Sequence, residues 1–584
     1  MSLNIIGISA LYHDSACCIL QDGVLKAAAQ EERFTRIKHD PSMPYRAFMY
    51  CLEEAGLSIT DIDCVAYYES PEKKLARQLW SGHYTGDEEL IKRLNPQRPE
   101  REIREVLGFE GPVKFFEHHQ SHAASTFYYS GFNDAAILTV DGVGEWATTG
   151  YGVGKGSKMD LFEEVHFPDS IGLLYSTITN YLGFEVNEGE YKVMGLAPYG
   201  KPLHTDKVWK LINMGAKGQF NLEMKYYDFL KGDKMYSAAL CELFGRQARV
   251  PESKMEQFHA DVARSLQVVL EDILLQKAQY LYDETKLDSL CMAGGVALNC
   301  VANGNILRKG PFKNMFVQPA SNDSGCAMGA AALAHVEITG ERPQEEQLKH
   351  VYLGPAYENK DVANLLDATS FNHKNYDGNP DGLLKEVAQL LSEGKVIGWF
   401  SGRMEFGPRS LGARSILADP RDADMRDRIN AMVKKREGFR PFAPAVLESK
   451  THEHFDLQHS SPFMLETCQV ISELDLPAIT HVDGSARVQT VSADTNPRFA
   501  KLLQYFYDIT GCPILLNTSF NVRGEPIVCT PEDALKCFIT TDIDCLILED
   551  YIIGRADNDL DLVAWMINLQ GKSSGIVHDV YTFI

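Results

Sequence analysis

The order of apolar and polar residues along the chain predicts alternating strands and helices. NIIGISA near the start is an apolar segment, and the polar YHDSA separates it from CCILQDGVLKAAAQEE, with a turn at Asp22 and Gly23. A similar unit begins at AAILTVDGVGEWATTGYGVG, where an apolar strand ends at Asp141 and Gly142 before a glycine-rich turn. The two similar openings predict a duplicated α/β fold.

Further along the chain, MEQFHADVARSLQVVLEDILLQKAQYLYDE has apolar residues three and four positions apart, which predicts a long helix. SLCMAGGVALNCVANGNIL then indicates a strand that breaks at Gly294 and Gly295, followed by another helix. Glycines at such a break let a ligand approach the backbone, and they equally suit close packing of helices. Both interpretations remain open from the pattern alone.

A polar, turn-rich region between Gly340 and Asp381 predicts a domain boundary near residue 355. With 584 residues the chain is too long for one hydrophobic core. After the boundary, LLKEVAQLLSEGKVIGWFSG indicates a helix followed by a strand, the start of another α/β unit. We therefore expect two domains, residues 1–355 and 356–584.

Composition narrows the class of protein. The chain is 45% apolar and 23% charged, as in ordinary globular proteins. It has no apolar run long enough for a membrane span and no basic signal-peptide start. We therefore expect a cytoplasmic protein. A formal charge of −23 disfavours nucleic-acid partners. Thirteen scattered cysteines without a CxxC pair favour reduced thiols over disulfides or a cysteine zinc site.

The segment FEHHQSHAAS contains three histidines within five residues. His118 and His122 are four positions apart, so on a helix both rings leave the same face and suit one metal ion. His119 points elsewhere, to a position outside the direct ligands. A surface helix that happens to carry histidines is the alternative.

Basic residues concentrate between Arg403 and Arg440, where ten Lys and Arg stand against six Asp and Glu. Their guanidinium and ammonium groups are the donors that phosphate oxygens need, although a solvated helix face also explains the KKRE segment. Downstream, CPILLNTSFNVRGEP places short polar side chains at a strand end, where they suit a small polar ligand: Asn517, Thr518, Ser519 and Asn521.

Lys434 and Arg436 form a KxR motif, and Ser519 and Asn521 an SxN motif, a combination that resembles YrdC-like domains. HHQSHA, VDGVGEW, EGEYKVMGLAPYG, GGVALN, SNDSGCAMGAA, FGPRSLGARSIL, KKREGFRPFAP and LLNTSFN also follow one another in the order found in O-carbamoyltransferases of the NodU and TobZ kind. The resemblance extends from about residue 4 to about residue 555. Eight motifs in one order are far more specific than any single one.

The resemblance implies a fold and a reaction. The first domain is expected to be a duplicated actin-like domain of the kinase superfamily known as ASKHA, similar to tRNA threonylcarbamoyl-transferases, followed by a YrdC-like α/β domain. The YrdC-like domain would condense carbamoyl phosphate with ATP, bound with Mg²⁺, to give carbamoyl adenylate and pyrophosphate. The first domain would pass the carbamoyl group to a hydroxyl of a small-molecule acceptor, a sugar or natural product, as in antibiotic or secondary-metabolite biosynthesis.

The resemblance also assigns candidate site residues. The metal ligands would be His118, His122, Asp141 and Asp323, although turn capping and helix capping are alternatives for the two aspartates. This donor set suits iron(II), zinc, manganese or cobalt, and the resemblance favours iron(II). His13 is the candidate base for the acceptor hydroxyl, with a structural role as the alternative. Aminoglycoside-modifying members carry Asp where this chain has Leu11, which argues against the same acceptor sugar.

The remaining candidates bind phosphate or nucleotide. Lys38 and Lys192 match basic positions of the family, and surface lysines are their alternative. The residues expected to bind the adenylate in the first domain are Gly142, Gly294, Gly295 and Asn299. The residues expected to bind carbamoyl phosphate and ATP in the second domain are Arg409, Lys434, Arg436, Arg440, Arg487, Asn517, Ser519, Asn521 and Arg523.

Other functions explain less of the sequence. An actin-like small-molecule kinase leaves KKREGFR and NTSFN without a role. A tRNA threonylcarbamoylation factor is disfavoured by the −23 charge. A hydrogenase-maturation carbamoyltransferase would carry an acylphosphatase segment and cysteine zinc fingers, and neither appears in this sequence. A non-enzymatic binding protein would be recognised by the absence of pyrophosphate release.

Overall fold

The computed structural model describes residues 2–82, 88–230, 234–343, 347–369, 371–434 and 438–560, without the side chains of residues 88–90 and 434. These residues divide into two compact units. Of these described residues, the first unit contains those up to Glu31 and His39–Leu348, and the second contains Glu32–Lys38 and those from Lys349 to Leu560. The division after Leu348 falls before the expected residue 355. The short helix α1 (Glu32–Thr35) belongs to the second unit.

The first unit contains twelve described strands, most of them buried. They are β1 (Asn4–Ser9), β2 (Ala16–Gln21), β3 (Val24–Gln30), β4 (Cys64–Tyr67), β5 (Val113–Phe115), β6 (Asp134–Val140), β7 (Ala147–Lys155), β8 (Lys158–His166), β9 (Ile212–Met214), β10 (Phe220–Leu222), β11 (Ser289–Ala293) and β12 (Asn314–Val317).

Two five-stranded sheets of the first unit repeat one topology. Their strand orders are β3-β2-β1-β4-β5 and β8-β7-β6-β11-β12. In each sheet the first three strands along the chain pair antiparallel, while the fourth strand runs parallel to the first and the fifth parallel to the fourth. The predicted duplication is therefore confirmed, and β1 and β6 occupy equivalent central positions.

Helices connect these strands. Those of the first unit are α2 (Tyr45–Ala55), α3 (Pro71–Ser81), α4 (Glu88–Leu94), α5 (Arg98–Leu107), α6 (His118–Phe127), α7 (Ile171–Tyr181), α8 (Glu190–Leu196), α9 (Thr205–Val208), α10 (Ala238–Phe244), α11 (Gln257–Thr285), α12 (Cys300–Lys309) and α13 (Asp323–Thr339). The long helix predicted from its apolar spacing corresponds to α11.

Helices α6 and α13 pack against each other between the two sheets: α13 contacts β1, β2 and β4, and α6 contacts β6, β7 and β11. This approach is close because α13 is rich in Gly and Ala. A Cβ atom on Gly7 of β1 would collide with the carbonyl oxygen of Ala327, and one on Gly329 would collide with that of Ser121. Small residues therefore position two helices that carry candidate site residues.

The second unit is built on an eight-stranded sheet in the order β13-β22-β21-β14-β15-β20-β16-β19. The strands of this sheet are β13 (Lys374–Asn375), β14 (Ile397–Phe400), β15 (Arg414–Ala418), β16 (Ala443–Leu447), β19 (Gln489–Val491), β20 (Ile514–Ser519), β21 (Cys545–Leu548) and β22 (Tyr551–Gly554). The strands β17 (Cys468–Gln469) and β18 (Ser485–Ala486) pair with each other in a separate sheet. Its longer connections are α14 (Asn359–Thr369), α15 (Pro380–Ser392), α16 (Met425–Ile429), α17 (Thr451–His454), α18 (Pro497–Thr510) and α19 (Pro531–Ile539).

Strand pairing in this sheet is mixed. β14 runs parallel to β21 and antiparallel to β15, and β20 is antiparallel to both β15 and β16. Apolar residues of the strands and helices form one large core. Both units are thus mixed α/β, as expected. Within the described ranges, none of the helices has the length and apolar character needed to cross a membrane.

Candidate functional site

Four side chains that suit a metal ion converge in the first unit. His118 Nε2 lies 3.2 Å from Asp141 Oδ2 and 3.6 Å from Asp323 Oδ1. His122 Nε2 lies 3.8 Å and 3.7 Å from the same two oxygens. The four candidate ligand atoms all lie within 4.8 Å of one another, and all four residues are buried.

The fold explains why these four residues meet. His118 and His122 lie one turn apart on α6, so both rings leave the same face of the helix. Asp141 directly follows β6, and Asp323 is the first residue of α13. Because α6 packs on both β6 and α13, the two aspartates lie beside the two imidazoles.

The donor set fits a divalent transition metal. Within the described part of the chain, His122 Nε2 and Asp323 Oδ2 are buried and have no hydrogen-bond partner, which is costly unless another group contacts them. Burial acts to raise the pKa of Asp141, but the neighbouring imidazoles of His118 and His122 outweigh burial and hold this pKa well below its usual range. Asp141 is therefore ionised, as a metal ligand must be.

His119 faces away from this cluster. Its Nδ1 lies 2.6 Å from Thr139 Oγ1 on β6, and its ring is buried. Burial lowers the pKa of His119 well below its usual value, so the ring is neutral. The side chain positions α6 against the sheet and contributes no atom to the four-residue group.

A second set of polar residues follows β1, the strand equivalent to β6. His13 Nδ1 lies 3.0 Å from Asp14 Oδ2, and Asp14 Oδ1 lies 2.7 Å from His39 Nδ1. His13 Nε2 faces the metal-ligand group at 3.9 Å from Asp323 Oδ2. Burial disfavours the charged form of His13, but Asp323 and Asp14 outweigh it and raise the pKa of this imidazole to about 9. A cation held by Asp323 would oppose that shift.

Three residues of this region escaped the sequence analysis. Cys326 lies one turn after Asp323 on α13 and groups with both histidines as another possible metal-ligand set. Asp14 orients His13, as described above. Glu145 accepts hydrogen bonds from the backbone N–H of His118 at 3.0 Å and of Ser70 at 2.6 Å. Of the three, only Cys326 has a signal in the sequence, because it follows Asp323 by three residues and so lies on the same face of a helix that starts there.

The glycines that were predicted to bind the nucleotide lie beside Asp141. Gly295 donates its backbone N–H to Asp141 Oδ1 at 2.7 Å. The carbonyl of Gly142 accepts a hydrogen bond from Ser170 Oγ at 2.6 Å, and Gly294 directly precedes Gly295. Asn299 caps α12 by accepting from Ala302 N at 3.0 Å, so its side chain has a structural role there.

The two predicted basic residues of the first domain do not lie in one unit. Lys38 belongs to the Glu32–Lys38 segment of the second unit. Lys192 lies on α8 in the first unit, half-buried, with its Nζ 5.8 Å from the ring centroid of Phe184. The stem of Lys192 thus covers an aromatic ring while its ammonium group stays partly exposed.

In the second unit the predicted polar residues lie at the end of β20 and directly after it. Asn517 is buried, whereas Ser519 Oγ donates to Asn521 Oδ1 at 2.7 Å and Asn521 Nδ2 donates to Glu525 O at 2.7 Å. Strand β20 pairs with β15, which directly follows the loop that carries Arg409. This loop therefore lies beside the residues of the predicted SxN motif.

The predicted basic residues of the second unit differ in exposure. Arg409, Arg440 and Arg487 are half-buried, and Arg523 is exposed. Lys434 is the last residue of a π-helix, Asn430–Lys434, and its side chain and Arg436 lie outside the described residues. Their expected role in binding phosphate remains a prediction.

Comparisons with known proteins agree with this architecture. Residues 4–332 match the family described as the carbamoyltransferase N-terminus, and residues 388–555 match the carbamoyltransferase C-terminus. Nodulation protein NolNO of Sinorhizobium fredii is 40% identical, over 93% of this chain and 79% of that protein. Nodulation protein NolO of Bradyrhizobium diazoefficiens is 41% identical, over 75% of this chain and 78% of that protein.

A solved structure of HypF from T. kodakarensis covers 60% of this chain and 50% of that protein at 12% identity, with a TM-score of 0.31, a likeness too small to carry an argument. Together, the two family matches include every candidate metal ligand of the first unit and all the predicted binding residues of the second. The chain belongs to the carbamoyltransferase family and is a transferase.

Proposed function

We propose that this transferase activates carbamoyl phosphate with ATP in its second unit and carbamoylates a hydroxyl of a small-molecule acceptor in its first unit. The observation that carries the proposal is the convergence of His118, His122, Asp141 and Asp323 within 4.8 Å in a carbamoyltransferase chain. The basic residues and the short polar residues at the end of β20 supply the second unit with donors for phosphate groups.

In the proposed activation, water first hydrolyses carbamoyl phosphate to carbamate and orthophosphate. A carbamate oxygen then attacks the α-phosphorus of ATP, and the bond to pyrophosphate breaks. The products are carbamoyl adenylate, one orthophosphate and one pyrophosphate. Arginine and lysine side chains stabilise the phosphate charges of both steps, and Mg²⁺ accompanies ATP.

Transfer forms a bond between the acceptor oxygen and the carbamoyl carbon, and the bond from that carbon to AMP breaks. His13, oriented by Asp14, lies beside the metal-ligand group. A cation held by Asp323 would offset the carboxylate charge that raises the pKa of His13, so that the neutral imidazole accepts the proton of the acceptor hydroxyl. The backbone N–H of Gly295 orients Asp141, and the open space beside Gly142 leaves room for a nucleotide to approach that carboxylate. A sugar or other hydroxylated natural product is the proposed acceptor class.

A divalent metal, proposed to be iron(II), would be held by the two imidazoles and two carboxylates. When bound, it supplies Lewis-acid polarisation of the group being transferred. Glu145 fixes the start of α6 through the N–H of His118, and so keeps the His118 ring directed at Asp141.

The test is incubation of the purified full chain with ATP, Mg²⁺ and carbamoyl phosphate. We expect orthophosphate and pyrophosphate in equal amounts, and a carbamate ester on a hydroxylated acceptor by mass spectrometry. A protein that releases ADP and no pyrophosphate would instead be a kinase. Activity without carbamoyl phosphate would also contradict the proposal.

A further inference from the structure

The loop between β14 and β15 of the second unit is organised by one buried carboxylate. Glu405 is 3% exposed, and its Oε1 accepts hydrogen bonds from the backbone N–H groups of Leu411 and Ala413, both at 2.7 Å, and of Arg414 at 3.3 Å. All three contacts use the same oxygen. Among the described residues, the other oxygen, Oε2, is buried and has no hydrogen-bond partner.

Asn517 on β20 lies against the same loop with its amide orientation determined by its neighbours. Gln489 Nε2 donates to the carbonyl of Leu411 at 2.8 Å, so Gln489 must present Oε1 to Asn517. Asn517 Nδ2 therefore faces Gln489 and donates to it at 2.8 Å, with a second contact to the carbonyl of Ser410 at 3.3 Å. Asn517 Oδ1 is buried and has no hydrogen-bond partner in the described chain.

Ser410 completes the set. Its side chain is buried, and within the described ranges its Oγ also has no hydrogen-bond partner. Hydrogen bonds join the three residues, because Asn517 donates to the carbonyl of Ser410 and Glu405 accepts from the N–H of the next residue, Leu411. A buried polar atom without a partner is costly, so three of them on residues joined in this way indicate a ligand.

The chemistry of these atoms specifies the ligand. Asn517 Oδ1 and Glu405 Oε2 act as acceptors, and the Ser410 hydroxyl has a hydrogen to donate. A primary amide has the complementary set, two N–H donors and one carbonyl acceptor. Phosphate oxygens accept hydrogen bonds and so do not satisfy Asn517 or Glu405. The cluster therefore complements an amide group and not a phosphate group.

We propose that Asn517, Glu405 and Ser410 bind the carbamoyl amide of carbamoyl phosphate, an inference that rests on the proposed function. Asn517 and Glu405 each accept one N–H, and Ser410 donates to the carbonyl oxygen. Arg409 is the neighbour of Ser410 in the chain and carries the guanidinium expected to bind phosphate. In carbamoyl phosphate a single oxygen separates the amide carbon from phosphorus, so neighbouring residues such as Ser410 and Arg409 suit its amide and its phosphate. In ATP the ribose separates the adenine amino group from the phosphates, so the two groups are too far apart for neighbouring residues.

The test compares two stable phosphonates by calorimetry on the full chain. Phosphonoacetamide carries the amide, and 2-oxopropylphosphonate replaces its NH₂ with a methyl group. The wild-type protein should bind phosphonoacetamide at least about tenfold more tightly, because the methyl group leaves two buried acceptors unpaired. Equal affinity for the two ligands, or no binding of phosphonoacetamide, would overturn the inference.

Glu405→Gln is the decisive variant. The amide oxygen of Gln still accepts the three backbone N–H groups, so the loop keeps its structure, while an NH₂ donor replaces Oε2. The preference for phosphonoacetamide should fall by about tenfold or more. Ser410→Ala should weaken both ligands by a similar factor, since both have a carbonyl. Retention of the wild-type preference by a folded Glu405→Gln protein would overturn the inference.

Tyr352→Phe is the matched control, because it removes the hydrogen bond from Tyr352 Oη to the Leu411 carbonyl at 2.7 Å and changes none of the three unpartnered atoms. Its preference between the two phosphonates should equal that of the wild type. A second comparison uses ATP and inosine triphosphate, and loss of discrimination between them in Glu405→Gln would assign the cluster to adenine. Release of pyrophosphate by the wild type tests the proposed function separately.

Discussion

The Nε2 atom of His118 lies 3.2 Å from a carboxylate oxygen of Asp141, although the residues are 23 positions apart in the chain. One is on a helix and the other follows the central strand of a sheet. The same oxygen lies 3.8 Å from His122 Nε2. A single small cation between these atoms would contact both rings and the carboxylate.

Metal binding should therefore depend on the two rings that face Asp141. Replacing His118 and His122 together with alanine should remove bound iron, because two of the four proposed ligands are lost. Elemental analysis of the purified protein measures this. His119→Gln is the control, since that ring bonds to Thr139 outside the group, and it should retain the metal. Full retention by the double variant would remove the proposed site.

Gly329→Ala should destabilise the first unit, because the added Cβ would collide with the carbonyl oxygen of Ser121 on α6. Overpacking of this kind costs roughly 1–3 kcal/mol of unfolding free energy. Since α6 carries both histidine ligands, iron content should fall as well. Urea denaturation and elemental analysis are the two measurements. An unchanged free energy of unfolding would show that α13 does not press against α6 as described.

Element type and the duplicated organisation could be predicted from the sequence, because both depend on local periodicity. The apolar spacing of one segment predicts α11, and the apolar segment before Asp141 predicts β6. Both positions are determined by residues within a few turns or strand repeats. The equivalent openings at β1 and β6 likewise predict two similar sheets.

The supporting residues could not be predicted in the same way, because their roles depend on how distant elements pack. Glu145 contacts the start of α6, and Glu405 uses one oxygen for three backbone N–H groups of a loop. The role of neither glutamate follows from a spacing pattern in the sequence. The grouping of Glu32–Lys38 with the second unit also has no local signal, since a continuous segment of the chain changes unit there.

Lys277 makes the stability of the first unit depend on pH. Its side chain is fully buried, and its Nζ donates to Tyr151 Oη and to the carbonyl of Gly218, both at 2.8 Å. Burial lowers its pKa from 10.5 to about 7, although Glu163 acts in the opposite direction. Between these two values the unfolded chain binds a proton that the folded chain does not. Stability contributed by this group therefore rises with pH across that window and is independent of pH below it.

Lys277→Met should flatten this dependence. Relative to the wild type, the slope of unfolding free energy against pH should fall by about 1.4 kcal/mol per pH unit between about pH 7.5 and about pH 9. Urea denaturation at several pH values gives the slope. Lys286→Met, at an exposed position, is the control and should leave the slope unchanged. Identical slopes for Lys277→Met and the wild type would mean that the buried amine stays charged.

The two half-reactions should separate between variants of the two units. The double alanine variant of His118 and His122 keeps the basic cluster of the second unit, so it should still release orthophosphate and pyrophosphate but deliver no carbamoyl group to a hydroxyl. Lys434→Ala should do the reverse, because a charge-assisted contact to phosphate is worth about 1.5–3 kcal/mol, a loss of about tenfold or more in activation. That variant should still transfer the carbamoyl group from chemically prepared carbamoyl adenylate. Pyrophosphate release and mass spectrometry of the acceptor, measured on both variants, distinguish the two steps. If both folded variants lost both steps equally, activation and transfer would share one active site.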